Sequence, residues 1–225
     1  MINWEDEGFL LSKRKFRENA NIIEVFTNNF GKVSGIVYGG NSRKIRNYLQ
    51  ISNKIFVCHN AKSQNKIGYF KTELIEPISP KYFNNKVKTS MLLSLTSILK
   101  LLLPEFQPYK SIYASLENLI KNFNNLDWPF LYIYWELELI KEMGFNPNLK
   151  LKDIDEKKDI INFEIDNIIY KIPIFLFTNN IPTKNKEYFI KNALIFTRVI
   201  MQNKFFIPNN LAFPKSRIIL ENYYN

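Results

Sequence analysis

The 225-residue sequence predicts an α+β protein in which a small five-stranded β-barrel is followed by a mainly α-helical domain. Short β-branched and aromatic runs, separated by glycine and asparagine turns, fill the first part of the chain. Helical periodicity takes over after Pro80. Hydrophobic residues make up 46% of the chain, which is enough for a buried core and excludes a disordered protein.

Five segments of the first part predict strands, and turns at Asn28–Gly31 and Gly39–Gly40 separate some of them. The segments are 8–13, 21–27, 32–38, 54–59 and 66–76. We expect residues 14–19 to form a charged corner and residues 41–46 to form a basic loop. Five short strands without a long helix favour the oligonucleotide/oligosaccharide-binding (OB) fold.

Pro77 and Pro80 end the strand region, because proline stops both a ladder and a helix. We therefore predict an OB-fold domain over residues 1–78 and a helical domain over 79–225. Helices are expected at 88–103, 109–123, 127–144 with Asp127 as its cap, 185–202, and from Lys215. Residues 150–184 read as an irregular segment with a short hairpin that turns at 166–167. Four residues predict the core face of the third helix: Leu131, Trp135, Leu139 and Met143.

The net charge of +10 is confined to one segment. Residues 8–72 hold twelve lysines and arginines and only two acidic residues, Glu18 and Glu24, so the rest of the chain is neutral. A basic segment joined to an otherwise neutral chain is typical of a protein that binds a polyanion. Nucleic acid is the polyanion that this pattern favours. A membrane, an acidic protein, or solubility alone would explain the same charge.

Two basic clusters lie near the ends of the predicted strands, the first within residues 13–17 and the second within residues 43–46. We expect them to line one groove that contacts phosphates. The predicted nucleic-acid contacts are Lys13, Arg14, Lys15, Arg17, Lys32, Arg43, Lys44 and Arg46. Phe30 and Tyr38 also lie between these charges. Phe16 and Tyr48, which have polar neighbours, are the candidates for stacking on bases.

The residue inventory argues against an enzyme and against a metal or other cofactor. Cys58 and His59, the single cysteine and the single histidine, cannot form a four-ligand zinc site, and no Walker-type loop is present. The acidic run at 153–159 alternates with lysines, and Glu138 and Glu142 lie beside Lys141, so both read as solvated surfaces. Cys58 and His59 alternate along one strand, and Cys58 is expected to face inward.

The chain is expected to be cytoplasmic. Its first seven residues include three acidic residues and no basic one, whereas a signal peptide begins with basic residues. The longest apolar stretch, 91–103, contains serine, threonine and lysine and is shorter than the ~20 residues that span a bilayer.

Motifs along nearly the whole chain resemble the RecO family of bacterial DNA repair and recombination mediators. The resemblance is strongest in the first 50 residues, in the runs 6–11, 22–27 and 42–44, the last followed by Leu49-Gln50. The run 135–139 followed by Met143-Gly144-Phe145 is similar to the family's central helix. Further similar runs lie at 102–105, 196–198 and 215–217.

The resemblance implies an OB domain followed by a helical domain. It also implies binding of single- and double-stranded DNA, annealing of complementary strands, and assistance to RecA on strands covered by single-stranded DNA-binding protein. RecR and the acidic C-terminal tail of single-stranded DNA-binding protein are the expected partners, with nucleoid association during repair.

Two departures from the family pattern concern the helical domain. Many members carry a four-cysteine zinc site after the central helix, and this stretch has no cysteine here, so the chain resembles a member without zinc. An arginine often precedes the Trp-Glu-Leu run, and that position is Tyr134. The candidates for the acidic-tail contact are therefore Lys141, Lys191 and Arg198.

Two other functions are alternatives. An RNA-binding OB module in translation or RNA handling has the same charge pattern, because phosphate contacts depend on charge and not on the sugar. A metal-dependent nuclease that uses the acids at 153–159 is the weaker alternative.

Overall fold

The computed structural model describes residues 2–61, 67–145, 159–165, 168–178 and 180–224. Its elements divide into two compact units, and each is described by itself. Unit 1 comprises residues 1–113 and 214–220, and unit 2 comprises residues 114–213 and 221–225. The first unit contains all five strands that the sequence predicts for the OB domain, and it extends beyond residue 78.

Unit 1 is built on five strands: β1 (Ile2–Phe16), β2 (Ala20–Thr27), β3 (Gly31–Tyr38), β4 (Lys54–Ala61) and β5 (Gly68–Glu76). They hydrogen-bond in the order β1-β2-β3-β5-β4, and β4 returns to pair with β1, so the ring closes. Every neighbouring pair is antiparallel except β3 with β5. The predicted class, a five-stranded sheet followed by a helical region, is confirmed.

Two local predictions in this unit were wrong. The charged corner is shorter than expected, because β1 runs on through Arg14, Lys15 and Phe16, which pair with β2. The expected loop at 41–46 contains a helix, α1 (Arg43–Tyr48). Ser42 caps this helix, since its side chain accepts a hydrogen bond from the backbone nitrogen of Ile45 at 3.4 Å.

The barrel interior is filled by apolar side chains from every strand: aliphatic ones from β1 to β4, such as Leu10, Ile23 and Val57, and Phe70 from β5. Leu49, which follows α1, is also part of this cluster. A second, smaller cluster on the opposite face of the sheet consists of Ala20, Ile22 and Ile36 with Phe16 against it. Nearly every residue of β2 and β3 is buried, because both faces of these strands are covered.

The prediction that Cys58 faces inward was wrong, since His59 is the buried member of the pair. The His59 ring stacks on Trp4 with centroids 4.7 Å apart and meets Phe70 edge-on at 5.3 Å. Alternation along β4 correctly placed one of the two residues inside. The aromatic neighbours favour the imidazole over the smaller thiol.

The helices follow the predicted order. They are α2 (Lys86–Leu102), α3 (Lys110–Lys121), α4 (Trp128–Glu142), α5 (Phe175–Thr178), α6 (Lys186–Met201) and α7 (Lys215–Asn222), and a 3₁₀ turn at Ser79–Tyr82 precedes α2. Asp127 occupies the N-cap position of α4, but its side chain makes no capping bond. Its Oδ1 instead accepts a hydrogen bond from the Nζ of Lys186 at 2.5 Å.

In unit 2, α4 is buried on most of its surface. Trp135 and Leu139 lie in the core as predicted, whereas Leu131 and Met143 are half-buried. Glu136 is completely buried, and its Oε2 accepts a hydrogen bond from the Thr197 hydroxyl of α6 at 2.6 Å. This glutamate therefore joins two helices.

The irregular segment contains a two-stranded sheet, β6 (Ile160–Ile165) paired with β7 (Ile168–Pro173). The hairpin is thus present around 166–167, although 166 and 167 themselves lie outside the described residues. The residues Phe175–Thr178, which follow β7, form the short helix α5. Pro173 ends β7 because proline cannot donate to the ladder.

Candidate nucleic-acid interface

The corner between β1 and β2 is fastened to the loop that leads into α1. The side-chain nitrogen of Asn41 donates a hydrogen bond to the backbone oxygen of Glu18 at 2.7 Å. The backbone nitrogen of Gly39 donates one to the backbone oxygen of Asn19 at 2.8 Å. Asn21 also donates to the Asn41 side chain, at 3.2 Å. These bonds make the two predicted basic clusters neighbours.

A second connection joins the clusters at the other end of α1. The Nζ of Lys13 donates to the backbone oxygen of Leu49 at 2.7 Å. Burial, and secondarily the nearby charge of Arg46, lowers the pKa of the Lys13 ammonium below its usual value. Lys13 therefore acts as a tie within the site, and its ammonium is already engaged.

Strand alternation divides the first basic cluster between two faces. Lys13 pairs in register with Ile23, a core residue, whereas Arg14 pairs with Ile22 of the smaller cluster. Six exposed side chains remain, and we call them the basic surface: Arg14, Lys15, Arg17, Arg43, Lys44 and Arg46. Such side chains are suited to neutralising phosphates.

Lys32 does not belong to the basic surface. It is 9% exposed, and its Nζ donates to the backbone oxygen of Lys100 at 2.7 Å. Burial lowers the pKa of its ammonium, while Glu24 and Glu105 oppose that shift. The residue serves packing between β3 and the end of α2.

The two rings chosen from the sequence for stacking are both half-buried. Phe16 packs against the smaller cluster, and the Arg17 guanidinium lies 5.2 Å from its centroid. Tyr48 packs against the barrel core and donates its hydroxyl to the backbone oxygen of Thr72 at 2.6 Å.

A better exposed aromatic pair lies where β3 ends and β5 begins. Tyr38 and Tyr69 are 54% and 42% exposed, and their rings stack with centroids 5.3 Å apart. A hydrogen bond with Tyr69 raises the pKa of the Tyr38 phenol, and the charge of Arg17 opposes that rise. Sequence reasoning noted Tyr38 without selecting it and missed Tyr69. The alternation of Tyr69, Lys71 and Glu73 on the solvent face of β5 was the available signal.

The residues predicted for the acidic-tail contact all lie in unit 2. Lys141 is exposed near the end of α4, and Lys191 is half-buried on α6. Arg198 donates from Nε to Glu221 Oε2 at 2.9 Å and from Nη1 to the Gln202 side chain at 3.0 Å. Tyr134 donates its hydroxyl to the backbone oxygen of Phe175 at 3.4 Å.

Within the described ranges, no group of three or more histidine, cysteine, aspartate or glutamate side chains could hold a metal ion. Asp153, Asp155 and Glu156 of the acidic run lie outside those ranges. In the same part of the chain, none of the helices is both long and apolar enough to cross a bilayer.

Comparison with known proteins gives two matching family models. "Recombination protein O N terminal" matches residues 1–78, and "Recombination protein O C terminal" matches residues 85–152. These two matches cover the barrel strands and the helical segment up to just beyond α4.

Curated relatives named "DNA repair protein RecO" are similar over most of the chain. The protein from Roseobacter denitrificans is 31% identical over 159 residues, which are 70% of this chain and 66% of the relative. The protein from Ruegeria sp. is 30% identical over 66% of this chain and 62% of its own length. The one from Wolbachia sp. subsp. Drosophila simulans is 31% identical over 72% and 68%. The match thus spans about two thirds of each relative, and the chain belongs to the RecO family.

Proposed function

We propose that this chain is a DNA repair and recombination mediator. It binds single- and double-stranded DNA, anneals complementary strands and assists RecA loading onto strands covered by single-stranded DNA-binding protein. The single observation that supports this best is the fastening of the β1–β2 corner to α1, through Asn41 with Glu18 and Lys13 with Leu49. These bonds place the β1–β2 corner beside the segment that contains α1, and the six exposed cations belong to these two segments.

The chemistry of the basic surface suits binding without base readout. Each lysine or arginine that neutralises a phosphate releases counterions, so affinity falls steeply as salt rises. Annealing follows when the same cations screen the repulsion between two strands and leave their bases accessible. None of these steps needs a bond to be made or broken.

The partners proposed for the chain are RecR, the C-terminal tail of single-stranded DNA-binding protein, and RecA indirectly. An acidic tail ending in phenylalanine needs cations beside an apolar surface. Lys141 and Lys191 of unit 2 are the cations proposed for it, since Arg198 is already paired with Glu221.

The basic surface is tested by replacing Arg43, Lys44 and Arg46 with alanine. Alanine preserves the helix, so the variant removes charge and leaves α1 in place. We expect the slope of log affinity against log salt on single-stranded DNA to lose about 2 units, from ~0.7 per phosphate contact. An unchanged slope would exclude α1 from the interface.

A matched control removes the same charge elsewhere. Lys121, Lys171 and Lys184 are exposed in unit 2, and their replacement by alanine is expected to leave the slope unchanged. An annealing assay with complementary DNA strands, run beside an RNA titration, separates this function from RNA handling. Tight RNA binding without DNA annealing would favour the RNA-binding alternative.

A further inference from the structure

A cavity of about 880 Å³ opens into the barrel of unit 1. Residues of β1, β3, β4 and β5 line it, together with Ile45 of α1. Its volume lies in the range of sites that bind small organic ligands. Within the described residues it is distinct from the six cations of the basic surface, none of which lines it.

The cavity lies beside the junction of β3 and β5, which pair over only two positions. Gly35 pairs with Gly68 and Ile36 with Tyr69, and the strands then part. Both glycines permit this close approach. A Cβ on Gly68 would lie 2.1 Å from Nε2 of His59, and one on Gly35 would lie 2.4 Å from the Phe70 ring.

Aromatic rings dominate the cavity lining. Trp4, His59 and Phe70 contact one another deep in the barrel, and the stacked pair Tyr38 and Tyr69 lies at the exposed edge. A planar heteroaromatic ligand gains most from such a lining, because base–aromatic stacking is favourable for every base.

One buried polar atom in the cavity wall lacks a partner. His59 is 6% exposed, and its Nδ1 makes no hydrogen bond with the described residues. Leaving such an atom unsatisfied is costly, and ligands often supply the missing partner. The ring nitrogens and exocyclic groups of a nucleobase offer both donors and acceptors.

The charges around the cavity indicate which chemical groups suit its interior and its rim. Ile45 lines it, whereas Lys44 and Arg46, its neighbours in α1, are exposed and belong to the basic surface. Glu5 and Lys71, both exposed, contribute one acid and one base to its lining. A neutral group therefore suits the interior, while phosphates suit the rim.

We propose that this cavity receives an unpaired nucleobase of a single DNA strand whose phosphates lie on the basic surface. The proposal rests on the DNA binding proposed above. It adds that the chain recognises the absence of base pairing, because a base within a duplex is already stacked and cannot enter the cavity.

The test compares two single-stranded oligonucleotides of equal length and phosphate number, one of thymidines and one with abasic sites at its centre. The basic surface should bind the phosphates of both oligonucleotides equally, whereas the cavity can accept a base only from the first. We expect the intact strand to bind roughly 5- to 150-fold more tightly, as one stacked base would give.

Variants of the exposed pair assign this difference to the cavity. The double variant Tyr38→Ala with Tyr69→Ala should bind the intact strand only as tightly as the abasic strand. Its affinity for the abasic strand should equal that of the wild type. Tyr38→Phe with Tyr69→Phe keeps both rings and should retain the preference. The matched control is Phe83→Ala with Tyr188→Ala, which removes two exposed rings outside the cavity and should have no effect.

The outcomes are distinguishable. Equal binding of both strands by the wild-type chain, with the usual salt dependence, overturns the cavity proposal and leaves the DNA-binding proposal standing. A preference that survives the alanine pair also overturns it. Failure of both strands to bind overturns the proposed function itself.

Discussion

The Nζ atom of Lys13 on β1 donates a hydrogen bond to the backbone oxygen of Leu49, 2.7 Å away, just beyond the C-terminal end of α1. Leu49 is completely buried in the barrel core. A basic residue selected from the sequence as a phosphate ligand is thus part of the framework that positions its neighbours.

Replacing Lys13 with methionine keeps the aliphatic stem and removes the donor. We expect the free energy of unfolding to fall by about 1 kcal/mol, as for the loss of a partly exposed charged hydrogen bond. Lys15→Met is the control, since Lys15 is exposed and its replacement should change stability by less than about 0.5 kcal/mol. Urea denaturation measures the free energy of unfolding of both variants. Equal losses would contradict a stabilising role for the hydrogen bond from Lys13 to Leu49.

The Thr197→Val substitution tests the bond between α6 and Glu136 of α4. Valine fills the same space but leaves the completely buried carboxylate one donor short, which should cost about 1–3 kcal/mol. Thr96→Val is the matched control, because the Thr96 hydroxyl donates only to backbone oxygens of its own helix. Thermal melts of the two variants should differ by several degrees, and indistinguishable melts would show that the Thr197 hydroxyl adds nothing.

Stability should fall on mild acidification because of His59. Burial lowers the pKa of its imidazole below the ordinary value of about 6.5. The unfolded chain therefore binds more protons between the two pKa values, so the contribution is complete above pH ~6.5 and is lost as pH falls through the folded-state pKa.

His59→Gln removes this dependence, and no other histidine is present in the sequence to mask it. We expect the variant to be less stable at pH 7.5, since the stacking on Trp4 is lost, but to lose less stability than the wild type between pH 7.5 and 5.5. Urea titrations at both values measure the difference. Parallel losses would mean that His59 titrates as it does in water.

The helical domain should bind an acidic peptide that ends in phenylalanine. Lys141→Ala with Lys191→Ala should weaken that binding several-fold in calorimetry, because partly exposed charge pairs contribute about 0.2–1 kcal/mol each. The control is Lys121→Ala with Lys184→Ala, which removes equal charge from exposed positions of unit 2. The same weakening in both variants would reduce the contact to net charge alone.

The sequence predicted the strand and helix order because turn residues and apolar periodicity are local signals. It missed α1, whose run Arg43–Tyr48 is too short and too polar to show periodicity, although Ser42 offered a capping signal. It also assigned the buried position to Cys58 instead of His59, because the phase of a pleat is fixed by partner strands and not by the strand's own sequence.

Side-chain roles within the site were less predictable. Lys13 and Lys32 resemble Arg43 and Lys44 in the sequence, and only tertiary contacts with Leu49 and Lys100 distinguish them. Glu136 was recoverable, since it lies four residues after Tyr132 and three before Leu139 on the core face. Tyr69 gained its significance from stacking on Tyr38, a contact made across the parallel pair.

The two-position ladder between β3 and β5 has a consequence for the cohesion of the barrel. Every other junction in the ring is held by at least seven register pairs, so backbone amides at this seam are the first expected to exchange with solvent. Any molecule that contacts both β3 and β5 would stabilise the junction of the barrel that has the fewest backbone pairs. Occupancy there would thus raise the melting temperature of the protein, in proportion to how tightly the occupant is held.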